Sequence, residues 1–364
     1  MTVDPARRLT PVVRLAPAKL NLTLAVVGRR ADGLHDLHSV MVPLALADVL
    51  TLAPSPGGTD ALHSVGHDPG PPAANIVLRA IAETRSAVGA GWGSGSGGPV
   101  GPAAGAAPAL AARLEKRIPV AAGLAGGSSD AAAAIDGALE AWAAELDPVT
   151  RAAAAARLGS DVPFFLAGGP AVVEGRGERV TPLRGIVGRP PGVLLVTPAV
   201  PVLTAAVYAA FDAGSRPGDP GATRATSSHL ATELAAGLAT SRLLDRAGVL
   251  AAANDLIAAA STVFPALTPL RRSLARLLGR PIGQSGSGPT LWALYPSVEA
   301  AATAAEEVRA ATADGRLAMP GEGPATIVAT TIGIDVAAKP GAAAEPGVAA
   351  EPGAGEPAPA TEEP

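Results

Sequence analysis

The chain has 364 residues, of which 48% are apolar, and a formal net charge of −4 at pH 7. This length allows two domains with ample cores, and the weakly negative charge without a basic patch argues against a nucleic-acid partner. No cysteine is present, which excludes disulfides, thiolate metal ligands and cysteine nucleophiles.

No targeting or membrane segment is expected. The first ten residues have no apolar core, so a secretory signal is absent from the pattern and a cytoplasmic protein is predicted. The uncharged run 193–211 approaches membrane length, but Pro198 and Pro201 divide it into a strand, a turn and a helix start. We therefore expect no membrane partner, and either a monomer or a homodimer.

The first predicted element is a strand. Between residues 19 and 26, leucine and valine alternate with Lys19, Asn21 and Thr23, which predicts one buried and one polar face. Lys19 and Asn21 then project from the same face. Only three of the 28 basic residues are lysines, so Lys19 is a candidate functional group, although a surface lysine at a strand start fits the pattern equally.

Residues 119–131, P-V-A-A-G-L-A-G-G-S-S-D-A, predict a phosphate loop that opens a helix. Three glycines let the main chain approach a ligand without a Cβ in the way: Gly123, Gly126 and Gly127. The residues that follow are favoured in the first turn of a helix: Ser128, Ser129 and Asp130. A run of good helix formers, 131–146, comes after them. Free N–H groups and the helix dipole favour an anion there. A flexible linker before a capped helix is the alternative, and the lack of Gly-Lys-Ser or Gly-Lys-Thr argues against a Walker A loop.

Asp161 lies in a predicted turn. It follows the helical run 151–158 and Gly159, and Val162-Pro163 keeps that helix from simply continuing. By the residues alone, a carboxylate in such a turn is either a local turn or cap residue or a catalytic group.

The chain order predicts an α+β organisation with two domains. The first, 1–185, is interrupted by a mobile glycine-rich loop at 89–105. The second, 190–336, contains a strand at 192–196, helices at 204–212 and 269–278, and an exposed loop at 214–228. The tail 337–364, rich in Pro, Ala, Gly and Glu, is predicted to be disordered.

Four blocks together resemble the GHMP family of small-molecule kinases. They are A-P-A-K-L-N-L-T-L-A-V with G-R-R-A-D-G-L-H, the phosphate loop, G-S-D-V-P-F-F, and G-Q-S-G-S-G-P-T. The resemblance covers roughly residues 12 to 335. It is closest to members that phosphorylate the 2-hydroxyl of 4-diphosphocytidyl-2-C-methyl-erythritol in non-mevalonate isoprenoid synthesis. It implies a domain like ribosomal protein S5 domain 2, an α+β C-terminal domain, and an active site in the cleft between them.

The resemblance also implies ATP, Mg²⁺ and a small-molecule alcohol as ligands. Asp161 would accept the proton of the alcohol, while Lys19 would lower the pKa of that hydroxyl and hold Asp161 ionised. Ser129, or Ser128, would supply a hydroxyl near Mg²⁺. The implied ATP contacts are Asn75, Ile76, Pro119, Val120, Ala121, Ala122, Gly123, Leu124, Ala125, Gly126, Gly127, Ser128 and Ser129.

The implied substrate contacts are Asn21, His35, Thr204, Tyr208, Gly286, Ser287 and Gly288. His35 would bond the edge of the cytosine and Tyr208 would stack on it, but Leu34 stands where relatives carry a second aromatic ring. Tyr208 as a helix core residue, His35 as a loop residue and Asn75 as a helix cap are the structural alternatives.

The phosphate loop departs from the family in having Ala121, Ala122 and Ala125 where glycine is frequent. An alanine forced to positive φ costs about 1 kcal/mol, so the loop is either right-handed at these sites or slightly strained.

Two other functions stay open: a sibling kinase acting on homoserine or mevalonate, and a non-catalytic ligand-binding regulator. Retention of Lys19 together with Asp161 argues against the regulator.

Overall fold

The computed structural model describes residues 11–91, 107–214 and 221–333. Over these residues the chain has the two-domain α+β architecture expected from the sequence. The predicted tail 337–364 and residues 92–105 of the predicted glycine-rich loop lie outside the described residues. Residues 89–91, the predicted start of that loop, instead form the last turn of a helix.

The first sheet is built on a long antiparallel hairpin. One edge of β2 is covered along its length by β1, and the other edge pairs first with β5 and then with β4. The sheet order is β3-β4-β2-β5-β6, with β1 beside β2, and only the β3–β4 pair is parallel. The strands are β1 (Val12–Arg29), β2 (His35–Pro54), β3 (Ala61–Gly66), β4 (Leu110–Lys116), β5 (Ala171–Gly175) and β6 (Arg179–Pro182).

Four helices pack with this sheet around a core that includes Leu50, Leu114 and Phe164. They are α1 (Ile76–Gly91), α2 (Gly126–Trp142), α3 (Pro148–Leu158) and α4 (Val162–Ala167). The predicted helical run to residue 146 was too long, because Ala143 adopts a left-handed φ of 49° and ends α2 at Trp142. The predicted helix 151–158 is confirmed and begins three residues earlier.

The second half is built on a four-stranded sheet in the order β10-β11-β8-β12 and a parallel β7–β9 pair. Its strands are β7 (Ile186–Val187), β8 (Gly192–Thr197), β9 (Leu238–Ala239), β10 (Gly283–Gln284), β11 (Leu291–Tyr295) and β12 (Thr326–Thr331). Its helices are α5 (Thr204–Ala213), α6 (Ala222–Ala236), α7 (Thr240–Asp245), α8 (Ala247–Ala252), α9 (Ile257–Val263), α10 (Leu267–Leu278) and α11 (Val298–Ala313). None of the helices formed by the described residues combines the length and the apolar run that a bilayer crossing needs.

Residues 215–220 of the predicted exposed loop at 214–228 lie outside the described residues, and the prediction is wrong for residues 222–228, which begin α6. Ser227 is fully buried there and its hydroxyl bonds Thr23 Oγ1 at 2.7 Å and His38 Nδ1 at 2.9 Å. Helix formation in this stretch of small polar residues is therefore set by packing against β1 and β2, which overrides weak local propensity.

The two halves share a continuous core. Leu20 and Leu22 of β1 belong to the same apolar cluster as Leu195 of β8 and Trp292 of β11. The predicted polar face of β1 is buried as well: Lys19, Asn21 and Thr23 are 4%, 2% and 0% exposed, because the second half covers them. Polar groups at such depth require hydrogen-bond partners, and these partners form the candidate site.

Candidate active site

The phosphate loop ends at an uncapped helix start. Helix α2 begins at Gly126, and Ala125 before it is left-handed, with no side chain capping the helix. The first main-chain bond back to this turn is donated by Ser129 N to Ala125 O at 3.0 Å. The N–H groups of the preceding residues therefore face the loop as free donors for an anion.

Of the three alanines that stand where glycine is frequent in the family, two have a left-handed backbone conformation. Ala121 and Ala125 both have φ of 54°, whereas Ala122 does not. Gly123, at φ 77°, could not be replaced, because a Cβ there would lie 2.5 Å from the carbonyl oxygen of Ser285. The loop thus stores strain of about 1–2 kcal/mol at each left-handed alanine.

Lys19 reaches from β1 to this loop. Its Nζ donates to Asn21 Oδ1 at 2.5 Å and to the carbonyl oxygen of Gly123 at 2.8 Å. Asn21 Nδ2 in turn donates to Ser39 Oγ at 2.9 Å, so the amide of Asn21 is engaged within the protein at both ends. A surface role for Lys19 is excluded by its burial.

A glycine turn of the second half closes over the loop. The Cα of Gly286 lies so near the lysine that a Cβ there would be 3.2 Å from Lys19 Nζ. Ser285 Oγ donates to the carbonyl oxygen of Gly123 at 2.9 Å. Asn254, which the sequence analysis missed, holds this turn by donating to the carbonyl oxygen of Gly286 at 2.9 Å. No local sequence pattern distinguishes Asn254, because its role depends on a segment 32 residues away.

Asp161 immediately precedes α4 and its side chain caps no helix N–H, which removes the cap alternative. Its charge acts on two neighbours. Burial lowers the pKa of the Lys19 ammonium, and the negative charge of Asp161 offsets part of that effect. Burial, and in second place Asp161, raises the pKa of the Tyr208 hydroxyl. Asp161 therefore lies close enough to both Lys19 and Tyr208 for its charge to affect their pKa values.

The two serines at the helix start differ in access. Ser129 is 1% exposed, and its Oγ is buried without a hydrogen-bond partner among the described residues. Ser128 is half-buried and faces the turn before Asp161, since a Cβ on Gly159 would lie 3.8 Å from Ser128 Oγ. Ser128 is thus the hydroxyl that a ligand in the loop can reach.

The predicted substrate residues form two contacts. The ring of His35 stacks on Tyr208 with centroids 4.8 Å apart, and Thr204 Oγ1 lies 3.0 Å from Ser287 Oγ. His35 is not a loop residue as the alternative had it, because it is buried at the start of β2. Its Nε2 donates to Asp212 Oδ1 at 2.7 Å, a partner that the sequence analysis missed. Asp212 was detectable, because it follows Tyr208 by four residues on α5 and so shares its face.

Asn75 serves as a cap, as the structural alternative proposed: its Oδ1 accepts from Val77 N at 2.9 Å at the start of α1. Ile76 lies over the start of α2, with its Cγ2 3.9 Å from the position of a Cβ on Gly127.

Beside the loop, a cavity of about 400 Å³ opens between the two halves. The first half lines it with His67, Asp68, Pro119, Val120 and Ala121, and the second half with residues 197–201.

Comparison with known proteins shows the family to which the chain belongs. The model described as "GHMP kinases N terminal domain" matches residues 75–169. The 4-diphosphocytidyl-2-C-methyl-D-erythritol kinase of Symbiobacterium thermophilum is 38% identical over 311 residues, which cover 82% of this chain and 95% of the relative. The chain belongs to the GHMP kinase family.

Other members agree with this assignment. The kinase of the same name from Rhodopseudomonas palustris strain HaA2 is 39% identical over 81% of this chain and 93% of its own. A crystal structure of 4-(cytidine 5'-diphospho)-2C-methyl-D-erythritol kinase, 32% identical, superposes with a TM-score of 0.61 over 88% of this chain and 100% of its own. A homoserine kinase from Cytophaga hutchinsonii reaches the same TM-score at 16% identity, with 91% and 97% covered, and shares the fold.

The GHMP kinase model spans Asn75, the whole phosphate loop and Asp161. Lys19 and the glycine turn around Gly286 lie outside the matched range, yet both contact the loop directly. The matched range of the family model therefore covers the loop and Asp161 but not the two segments that pack against the loop.

Proposed function

We propose that this chain transfers the γ-phosphoryl group of ATP to the 2-hydroxyl of 4-diphosphocytidyl-2-C-methyl-D-erythritol. Three relatives that carry this name cover 79–82% of the chain at 36–39% identity. The single structural observation that supports it best is the position of Lys19, which is bonded to the phosphate loop and acted on by the charge of Asp161. A base, a cation and a phosphate site in one place are the parts that phosphoryl transfer needs.

In this proposal the oxygen of the substrate hydroxyl attacks the γ-phosphorus, and Asp161 accepts the proton of that hydroxyl. The bond from that phosphorus to the bridging oxygen of ATP breaks, and ADP leaves. Lys19 stabilises the negative charge that develops on the attacking oxygen. Asn21 fixes the Lys19 ammonium through its Oδ1, so we assign it to positioning this lysine as well as to the substrate pocket.

The phosphates of ATP are proposed to bind against the helix start at Gly126, with contacts along residues 119–129. Mg²⁺ commonly takes one or two protein oxygens together with phosphate oxygens, and an accessible hydroxyl fits that requirement. The residue that would hold it is Ser128 rather than Ser129, because Ser129 Oγ is sealed from solvent. When bound, the metal supplies charge neutralisation of the phosphates.

The cytidine is proposed to contact the stacked pair of His35 and Tyr208. Asp212 accepts a hydrogen bond from His35 Nε2 and thereby holds the imidazole in one orientation. In this orientation Nδ1 would form the hydrogen bond to the edge of the cytosine. Thr204 and Ser287, joined through their hydroxyls, lie near the glycine turn and would line the path of the diphosphate with Gly286 and Gly288. We place the enzyme in the cytoplasm, as a monomer or homodimer that acts on a small molecule.

The test is a turnover assay of the purified full chain with ATP, Mg²⁺ and 4-diphosphocytidyl-2-C-methyl-D-erythritol, beside homoserine and mevalonate. We expect ADP release with the cytidine substrate alone, and a loss of kcat of about 10²–10⁴ in Asp161→Asn with nucleotide binding retained. Turnover of another alcohol would assign the chain to a sibling kinase. Nucleotide binding with no turnover of any alcohol would favour a regulator.

A further inference from the structure

A second cavity, of about 590 Å³, lies within the second half of the molecule. Its walls come from helices α8, α9 and α10 and from strands β10 and β11. None of the residues that line it is among those proposed to contact ATP or the substrate. Cavities of about 300–1,000 Å³ are typical of small-molecule sites, so the chemistry of these walls decides what the cavity could hold.

Arg271 of α10 gives the cavity a positive charge that no carboxylate offsets. Its Nε donates to the carbonyl oxygen of Ile282 at 2.6 Å, and its Nη2 donates to that of Ala251 at 2.6 Å. Among the described residues its Nη1 bonds nothing, and no carboxylate forms an ion pair with it. Burial lowers the pKa of this guanidinium, with no neighbouring charge to raise it.

Two other half-buried arginines, by contrast, have a carboxylate partner. Arg85 pairs with Asp60 at 2.7 Å, and Arg246 pairs with Glu233 at 2.5 Å. A charge that is partly removed from water is costly without a counter-charge, and the two carbonyl oxygens bonded by Arg271 are neutral. An anion in the cavity would supply the charge that the protein does not.

A second guanidinium and a pair of hydroxyls line the same cavity. Arg272, the next residue of α10, is exposed and bonds nothing among the described residues. Thr268 Oγ1 donates to Ser261 Oγ at 2.8 Å, which leaves the hydroxyl hydrogen of Ser261 available to a ligand. Guanidinium and hydroxyl groups are donors for the oxygens of phosphates and carboxylates.

Most of the remaining wall is apolar. Leu267, Ile282 and Leu291 line the cavity and are buried. No acidic residue of the described chain lines it. A ligand that matches these walls has an anionic head and an apolar body of a few carbon atoms.

Gln284 lies between this cavity and the glycine turn. Its side chain lines the cavity, and its Nε2 donates to the carbonyl oxygen of Gly286 at 3.2 Å. A Cβ on Gly288 would lie 3.4 Å from the Cδ of Gln284. The cavity is therefore a neighbour of the glycine turn and is separate from the site at Lys19.

We propose that this cavity is a second ligand site that binds a small organic anion. Arg271 and Arg272 would hold a phosphate or carboxylate head, and Leu267 and Leu291 would contact a short apolar body. Both kinds of head present the oxygen atoms that a guanidinium binds, so they share one recognition chemistry. The inference goes beyond the proposed function and does not depend on turnover of any alcohol.

Calorimetric titration of the full chain with three probes tests the site: hexyl phosphate, hexanoate and inorganic phosphate. MgADP is kept present so that the phosphate loop is occupied. We expect at least one hexyl probe to bind at one site per chain. Inorganic phosphate should bind at least about tenfold more weakly, because it has no carbon chain to place against the apolar wall. The tighter of the two hexyl probes identifies the head group. No binding of either hexyl probe, or equally tight binding of inorganic phosphate, would overturn the inference.

Three variants of α10 locate the bound anion. Arg272→Gln removes one guanidinium of the cavity, whereas Ala275→Leu fills the cavity and keeps both. Arg276→Gln, one turn further along the helix and outside the lining, is the matched control. Affinity for the tighter hexyl probe should fall about fivefold or more in Arg272→Gln and about tenfold or more in Ala275→Leu, and should not change in Arg276→Gln.

Unchanged affinity in either cavity variant would place the anion elsewhere and overturn the inference, as would an equal loss in Arg276→Gln. If Ala275→Leu does not fold, the comparison of Arg272→Gln with Arg276→Gln decides. Failure of the proposed function is seen separately: a chain that phosphorylates no alcohol but binds a hexyl probe in a manner that requires Arg272 refutes the function and supports the inference.

Discussion

The ammonium of Lys19 donates a hydrogen bond of 2.8 Å to the main-chain oxygen of Gly123, 104 residues later in the chain. The main-chain N–H of the same lysine donates to the carbonyl oxygen of Leu124 at 3.1 Å. Strand β1 and the phosphate loop are thereby fixed to each other at the point where the proposed chemistry takes place. A displacement of the loop would move the proposed catalytic cation with it.

Burial of Lys19 predicts the basic limb of the pH profile. Its pKa is lowered from the ordinary 10.5, and the proposed role needs the charged form, so kcat/KM should fall as pH rises through a value below 10.5. Lys19→Met should lose about 10²–10³ in kcat. The profile of kcat/KM between pH 6 and 11 checks this. Nucleotide binding by Lys19→Met serves as the control for folding, and a basic limb at or above 10.5 would refute the prediction.

The unequal access of the two serines predicts unequal effects of removing them. Ser128→Ala should raise the Mg²⁺ concentration needed for half-maximal rate several-fold, because the accessible hydroxyl is lost. Ser129→Ala should leave that concentration unchanged, because its Oγ is buried and bonds nothing among the described residues. Magnesium titrations of the two variants compare them directly. The reverse order of effects would return the metal role to Ser129.

The stacked pair and its carboxylate predict a specific loss of substrate affinity. Asp212→Asn removes the charge that holds His35 Nε2, and hydrogen bonds to charged groups contribute about 1.5–3 kcal/mol, so KM for the cytidine substrate should rise about tenfold or more. Tyr208→Ala should raise it similarly by loss of stacking, whereas Tyr208→Phe keeps the ring and should not.

Steady-state kinetics with either substrate varied distinguishes this from general damage. KM for ATP should stay unchanged in all three variants, since His35 and Tyr208 lie on the proposed substrate side. An equal rise of both KM values would show that these residues support the fold of the cleft and not the recognition of cytidine.

The sequence was sufficient to predict the parts of the site that are encoded locally. The glycine loop, the turn at Asp161 and the strand with Lys19 each lie within about a dozen residues, so composition and periodicity were enough to locate these elements, whereas the roles expected of Lys19 and Asp161 came from the family resemblance. The role of Asn254 and the bonding of Arg271 could not be predicted, because their partners lie on segments that meet only in the fold.

Burial was the other point that the pattern could not decide. Alternation in β1 correctly predicted which residues share a face, but the polar face of that strand is covered by α6 through Ser227, which follows Thr23 by 204 residues. A stretch of small polar residues gives no local signal that it will be a packed helix. The same long-range contact therefore explains both the wrong loop at 222–228 and the burial of the polar face of β1 at Thr23.

The left-handed alanines of the phosphate loop predict a stabilising substitution. Ala121 is exposed and has φ of 54°, so Ala121→Gly loses no buried contact and relieves backbone strain. Relief of about 1–2 kcal/mol, less about 0.4–1 kcal/mol for the greater freedom of the unfolded chain, leaves a gain of roughly 0.5–1 kcal/mol in the free energy of unfolding. Ala122 provides the matched control, because it is 2% exposed and not left-handed. Ala122→Gly should lose about 1 kcal/mol through the missing methyl group and the added freedom. Urea unfolding of both variants measures the two changes, and a loss of stability in Ala121→Gly would mean that the left-handed residue is not strained in this loop.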